Sequence, residues 1–362
     1  MTDTIMLFNL KFLNFLNNQK TIKQNNMANC NKLFLDFDIN LNIPKAKKDK
    51  LKVSKEEIRT KIRDYFKVNH KEYKPEFYIQ GSYKVGTTIL TKDNECDLDD
   101  GVYFRRDQGV SGTTLQTWVR NAVDGHTSTP SEHRKKCVRV IFKAEYHIDL
   151  PVYYLPSDSE HPLLAIKNEE CSESDPKEFV EWYKNEIKNT PQVLRISRYL
   201  KAWGDHKRDK MPSGLAMSIL AANNIKKNDR DDIALRDTLE KIKEILDNSF
   251  ECIVPATPND DLYGEYDQTR KDTFMNNLKS FIEDANKAIH EKNQRKASKL
   301  WKNHLGDKFP EGADEDTDAK EHSLNALKQS ILGGSAYAQK SGNITENNTG
   351  VKHKEHKNFG GN

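Results

Sequence analysis

Cysteine is scarce and scattered in this 362-residue chain. Five residues, at 30, 96, 137, 171 and 252, make an odd number with no Cys-x-x-Cys pair. That pattern excludes a disulfide framework and a cysteine-based zinc cluster, and it fits a reducing compartment, so a cytoplasmic location is expected. Long apolar runs are missing as well: no stretch approaches the roughly 18 residues of a membrane span, and the mean hydropathy is −0.86. Neither sign of charge dominates. The 58 basic and 55 acidic side chains leave a net charge of +3, too little for bulk electrostatic binding of nucleic acid. Met1–Asn26 contains MLFNLKFLNF with no basic segment ahead of it and no small-residue cleavage site, so it does not read as a signal peptide. Met27 opens MANCNKLF and is an alternative start.

The length fits two lobes and a tail, with enough chain to bury a core. Ser54-Lys-Glu-Glu57 reads as a capping box ahead of Ile58, Ile62, Tyr65 and Phe66 at helical spacing, which predicts a helix from Ser54 to Lys67. FYIQGSY, CDLDDGVYF, CVRVIFKAEY and HIDLPVYYL are rich in β-branched and aromatic residues and read as strands. A helix is expected near Thr113–Ala122. From Pro176 onward the apolar spacing turns helical, as in PKEFVEWYKNEI and PQVLRISRYLKAW. The expected architecture is α+β: a poorly ordered extension over 1–40, a mixed core over 41–190, and a helical lobe over 191–333 that completes a ligand cleft. The stretch 334–362, rich in Gly, Asn, Ser and Lys, has too little apolar surface to order itself and reads as a disordered tail.

The chemistry concentrates in Gln80-Gly81-Ser82, Cys96-Asp97-Leu98-Asp99-Asp100-Gly101 and His147-Ile148-Asp149-Leu150. In a strand Asp97 and Asp99 project from one face, about 7 Å apart, while Asp100 points to the other and is expected to tolerate Asn. Two carboxylates so placed repel unless a cation lies between them, and hard oxygen ligands suit Mg²⁺ or Mn²⁺. Asp149, ending an apolar strand, supplies a third carboxylate if that strand pairs beside the first. Three carboxylates can hold the two ions used in in-line phosphoryl transfer. A Gly-Ser turn offers backbone N–H groups and a hydroxyl to triphosphate oxygens. A lone D-x-D is most often a solvated strand edge; the three segments together, in this order, are specific.

The order G-S … D-x-D … h-D-h resembles that of the polymerase-β-like nucleotidyltransferases. The fuller wording QGS … DLDDGVY … HIDLPVY … SDPKEFVEWY … LRISRYLKAW … PSG resembles the bacterial cGAS/DncV-like nucleotidyltransferases, over residues 50 to 265. The resemblance implies a polymerase-β-like nucleotidyltransferase core with a helical C-terminal lobe. It implies Asp97, Asp99 and Asp149 as metal-holding catalytic residues, with two Mg²⁺ ions, or Mn²⁺ in their place. It gives Gln80, Gly81 and Ser82 to the donor triphosphate, Lys201 to the phosphates, and Ser213, Ser174 and Asp260 to further nucleotide contacts. Without the resemblance, Lys201 reads as a surface lysine, and Ser174 and Ser213 read as helix N-caps. The implied activity is synthesis of a cyclic dinucleotide of the cGAMP type from ATP and GTP, in antiphage signalling. A conjugating partner acting on the C-terminal Phe359-Gly360-Gly361-Asn362 is implied too. The alternatives are a related enzyme with another cyclic or linear product, and a catalytically inert nucleotide sensor.

Overall fold

The computed structural model describes residues 27–316 and short stretches between 327 and 352. The expectations placed on 1–26, and most of those on the 334–362 tail, lie outside the described residues. Two units are distinguished, and the larger, residues 31–286 and 301–310, carries the sheet and most of the helices.

That unit opens with helix α1, Asn31–Asn40. Part of the extension expected to be poorly ordered is thus helical, because Leu33, Phe34 and Phe37 fall on one buried stripe. Helix α2 spans Lys45–Asn69 and buries Leu51, Ser54, Ile58, Ile62 and Phe66. It starts nine residues before the expected capping box. Ser54 is not a cap but a core-facing residue whose Oγ lies 3.0 Å from the Tyr146 hydroxyl.

Strand β1 (Pro75–Gln80) runs into a five-residue helix, α3 (Gly81–Val85), where a continuing strand or open turn was expected. Strand β2 (Asp97–Phe104) follows, then α4 (Gly112–Val123), β3 (Glu132–His133), β4 (Val138–Phe142), β5 (Tyr146–Leu150), β6 (Val152–Tyr154), β7 (Leu163–Leu164) and β8 (Ser172–Glu173). Five helices complete the succession: α5 (Pro176–Asn189), α6 (Gln192–Lys207), α7 (Gly214–Asn224), α8 (Asp231–Asn248) and α9 (Gln268–His290). Helix α10 covers Gln294–Leu305.

Strand β2 is the axis of an eight-stranded sheet. On one edge it pairs antiparallel with β1, Gln80 opposite Asp99. On the other it pairs in parallel with β5 and then β6. Pro151 interrupts that second edge; it has no N–H to give, and its carbonyl accepts from Val102 N. One sheet face, with Leu98, Val102, Phe104, Ile148, Leu150 and Val152, packs with Ile58, Ile62 and Phe66 of α2 and Leu115 and Val119 of α4.

Helix α6 lies at the centre of the helical lobe. Its Tyr199 ring contacts Phe34 and Phe37 of α1, and its hydroxyl donates to Phe34 O and lies 2.9 Å from an Asp231 carboxylate oxygen. Arg195 donates twice to Asp231, which fixes α6 on the start of α8. In the smaller unit, Gly312 N donates to Ser298 Oγ and Gln294 donates to Asn29 O. That unit also holds a small three-stranded sheet of β9 (Tyr337–Ala338), β10 (Ile344–Thr345) and β11 (Val351–Lys352). No helix among the described residues is long and apolar enough to cross a membrane.

Candidate active site

Alternation along β2 leaves Asp97 and Asp99 half-buried and encloses Leu98 and Asp100. The parallel register sets Asp99 beside Asp149 of β5, so three carboxylates gather on neighbouring strands. Their mutual effect is visible at Asp99. Burial, then the charges of Asp97 and Asp149, push its carboxyl up to about 7, against the opposing pull of Lys201 and Arg139. A set of like charges that raises its own proton affinity is a set that a cation would relieve. Its donors are hard oxygens, so the residues fit Mg²⁺ or Mn²⁺.

Asp149 has a partner that the sequence reading missed. Arg139 Nε and an η nitrogen donate to its two oxygens, both at 2.6 Å. The pair lies directly across the antiparallel β4–β5 hairpin. The signal was available: 139 and 149 are equidistant from Ala144, the turn of that hairpin, so one β-period places both side chains on one face.

Gly81 enters α3 at φ +60°, a conformation that favours glycine, and a Cβ there would overlap the Asp99 carboxylate. Gln80 is held from both ends: its amide nitrogen donates to the Tyr153 hydroxyl and its carbonyl accepts from the Tyr103 hydroxyl. The two tyrosine rings stack with centroids 4.5 Å apart. Ser82 Oγ lies 2.8 Å from Thr88 Oγ1. Lys201, from α6, donates to Thr87 O at 2.9 Å. Burial lowers its pKa, and Asp97 and Asp99 draw it back up. It is an inward lysine facing carboxylates, not the surface lysine of the alternative reading.

These side chains meet in a cleft of about 660 Å³, lined by Gln80, Gly81, Ser82, Asp97, Asp99, Ser174 and Lys201. Thr87, Phe179, Asp205, Arg208 and Thr257, which sequence reasoning did not single out, line it too. Asp149, beside Asp99 in the parallel register, is not among the lining residues. Ser174 lines the cleft but does not cap α5; Asp175 does, its Oδ1 accepting from Lys177 N and Glu178 N. Ser213 is exposed and caps α7 through Ala216 N. Asp260 is exposed as well, and its carbonyl accepts from Val254 N. The structure does not bring these last two into the cleft.

Residues 75–153 match the model of the nucleotidyltransferase domain of Cyclic GMP-AMP synthase DncV-like proteins. The Cyclic GMP-AMP synthase of Escherichia coli is 22% identical in a match covering 49% of this chain and 54% of that protein, so the chain spans about half the length of this curated relative. A mutant of the Vibrio cholerae di-nucleotide cyclase DncV, solved with ATP, GTP and 5MTHFGLU2, superposes with a TM-score of 0.69 at 18% identity, covering 78% of this chain and 97% of that one. The Vibrio cholerae enzyme with the linear intermediate 5′ pppA(3′,5′)pG gives a TM-score of 0.59 at 18% identity, covering 82% and 90%. The fold is that of a nucleotidyltransferase. Residues 75–153 thus resemble the nucleotidyltransferase domain of the DncV-like synthases, in line with the sequence motifs, and the chain's fold is like that of the solved Vibrio cholerae cyclase.

Proposed function

We propose that this protein joins ATP and GTP into a cyclic dinucleotide of the cGAMP type, releasing pyrophosphate at each of two transfers. The observation that carries the reading is the register of Asp99 against Asp149, with Asp97 one period away on the same strand face. The identities of the relatives support the substrates. Asp97, Asp99 and Asp149 would hold two divalent ions, Mg²⁺ or Mn²⁺. Bound there, the ions would neutralise charge developing on the α-phosphoryl group and its leaving oxygen.

The chain's own residues do the rest. Lys201 presents a fixed cation to the phosphates, and its bond to the Thr87 carbonyl holds it in place. Gly81 lets the backbone pass against Asp99 without displacing it. Arg139 keeps the Asp149 carboxylate in one orientation and supplies it with a compensating charge. Asp149 orients the attacking hydroxyl, and the linear intermediate turns over in the cleft before the second transfer. On the same reading the product acts in antiphage signalling, and Phe359-Gly360-Gly361-Asn362, outside the described residues, serves a conjugating partner.

The test is incubation of the protein with all four labelled ribonucleoside triphosphates and Mg²⁺, followed by resolution of the products. A cyclic product that requires both ATP and GTP is expected. A linear or single-base product would overturn the assigned product, and failure to release pyrophosphate from any of the four would overturn the transferase reading.

A further inference from the structure

At the rim of the cleft, a second group of side chains converges that the transferase reading does not use. His161, from the segment between β6 and β7, faces Asp175 and Glu178 at the start of α5, and the three ligand atoms lie within 4.8 Å of one another. His161 Nδ1 is 3.5 Å from Asp175 Oδ2 and 3.6 Å from Glu178 Oε1. Those separations are longer than the ~2.7–2.9 Å of a charge-assisted hydrogen bond. They match the edge of a tetrahedron whose corners lie ~2.1 Å from its centre, the length of a zinc bond to imidazole nitrogen or carboxylate oxygen.

Each carboxylate turns one oxygen to the imidazole, with only a long 3.5 Å bond from His161 Nδ1 to Asp175 Oδ2, while its other oxygen is committed elsewhere. Asp175 Oδ1 accepts from Lys177 N at 2.9 Å. Glu178 Oε2 accepts from Thr257 N at 2.7 Å. The far ring nitrogen, His161 Nε2, lies 3.4 Å from Thr257 Oγ1. Each of the three side chains is therefore oriented by an outer partner while one atom is left pointing inward, as in built metal sites.

We propose that His161, Asp175 and Glu178 form a binding site for Zn²⁺, separate from the carboxylates of β2 and β5. An imidazole ligand favours zinc over Mg²⁺, which prefers all-oxygen surroundings. The ligands come from two segments, and Thr257, from a third segment between α8 and α9, braces two of them. Asp175 and Thr257 also line the cleft, so the ion pins the cleft rim.

The experiment uses the full chain carrying Asp97→Asn and Asp99→Asn, which removes the catalytic carboxylate pair. The protein is dialysed against Zn²⁺ in excess Mg²⁺, and bound zinc is counted. One zinc per chain is expected, and His161→Ala in that background should weaken its binding at least ~10-fold. Glu178→Gln, which keeps an acceptor for Thr257 N, should do the same and stands in if His161→Ala does not fold. Absence of bound zinc in the parent overturns the proposal. Zinc retained equally by both variants, as ions on the cysteines would be, overturns it too.

Discussion

The Cα of Gly81 sits so close to Asp99 that a Cβ on it would overlap the carboxylate and fall 2.9 Å from Asp99 Cγ. The glycine at the head of α3 and the second carboxylate of β2 are thus one fitted unit. Gly81→Ala must displace Asp99 and also strain a backbone at φ +60°, a strain of about 1–3 kcal/mol. Pyrophosphate release should fall at least ~10²-fold with a loss of only a few degrees in Tm. Initial rates and thermal melting, run on the same preparation, check this; wild-type rates in Gly81→Ala would separate the two residues functionally.

Asp100 has a structural partner that the sequence expectation did not include. As the strand alternation requires, it faces away from the cleft, but it is fully buried and accepts two bonds from Arg59 of α2, at 2.7 and 2.6 Å. Asp100→Asn should leave Arg59 mostly buried with only the exposed Glu56 as its anion. The cost falls at the lower end of the ~3–5 kcal/mol typical of breaking a buried pair, since Arg59 retains some exposure. Urea unfolding measures it. A midpoint within error of the wild type would mean that the pair contributes nothing to the fold.

Much of the site was legible in the sequence because strands have a two-residue period. Alternation alone put Asp97 and Asp99 on one face, and the apolar run around Asp149 marked a strand able to bring a third carboxylate beside them. What was hidden depends on tertiary context. Ser54 looked like a cap because a serine before Glu57 has that signature. The helix instead begins at Lys45, and Ser54 occupies a core slot on the stripe that runs from Leu51 to Phe66. Gln80-Gly81-Ser82 read as a strand and turn, because nothing local announces that Gly81 turns left-handed to open a short helix. Asp260 and Ser213 were assigned from resemblance alone; their neighbours Val254, Thr257, Pro212 and Gly214 line the cleft, while these two side chains are exposed and not among its lining.

The raised carboxyl of Asp99 makes stability depend on pH. In the metal-free protein its folded pKa, about 7, stands above the ordinary carboxylate value. The folded state therefore binds the proton more tightly, and the stability from this group is lost as pH rises from about 4 through 7. The difference in Tm between wild type and Asp99→Asn should change across that window in the presence of a chelator. Mg²⁺, competing with the proton, should raise the wild-type Tm more at pH 8 than at pH 6. Equal Mg²⁺ effects at both pH values would show that the ion does not meet Asp99.

The central claim, that the carboxylates of β2 carry nucleotidyl transfer, is tested most directly by the rate of pyrophosphate release from ATP and GTP by folded Asp97→Asn/Asp99→Asn protein. Both substitutions are nearly isosteric, so circular dichroism and Tm should show an intact fold. The rate should fall at least ~10²–10³-fold, the loss expected when electrostatic stabilisation of this kind is removed. A folded double variant that releases pyrophosphate at the wild-type rate would contradict the account.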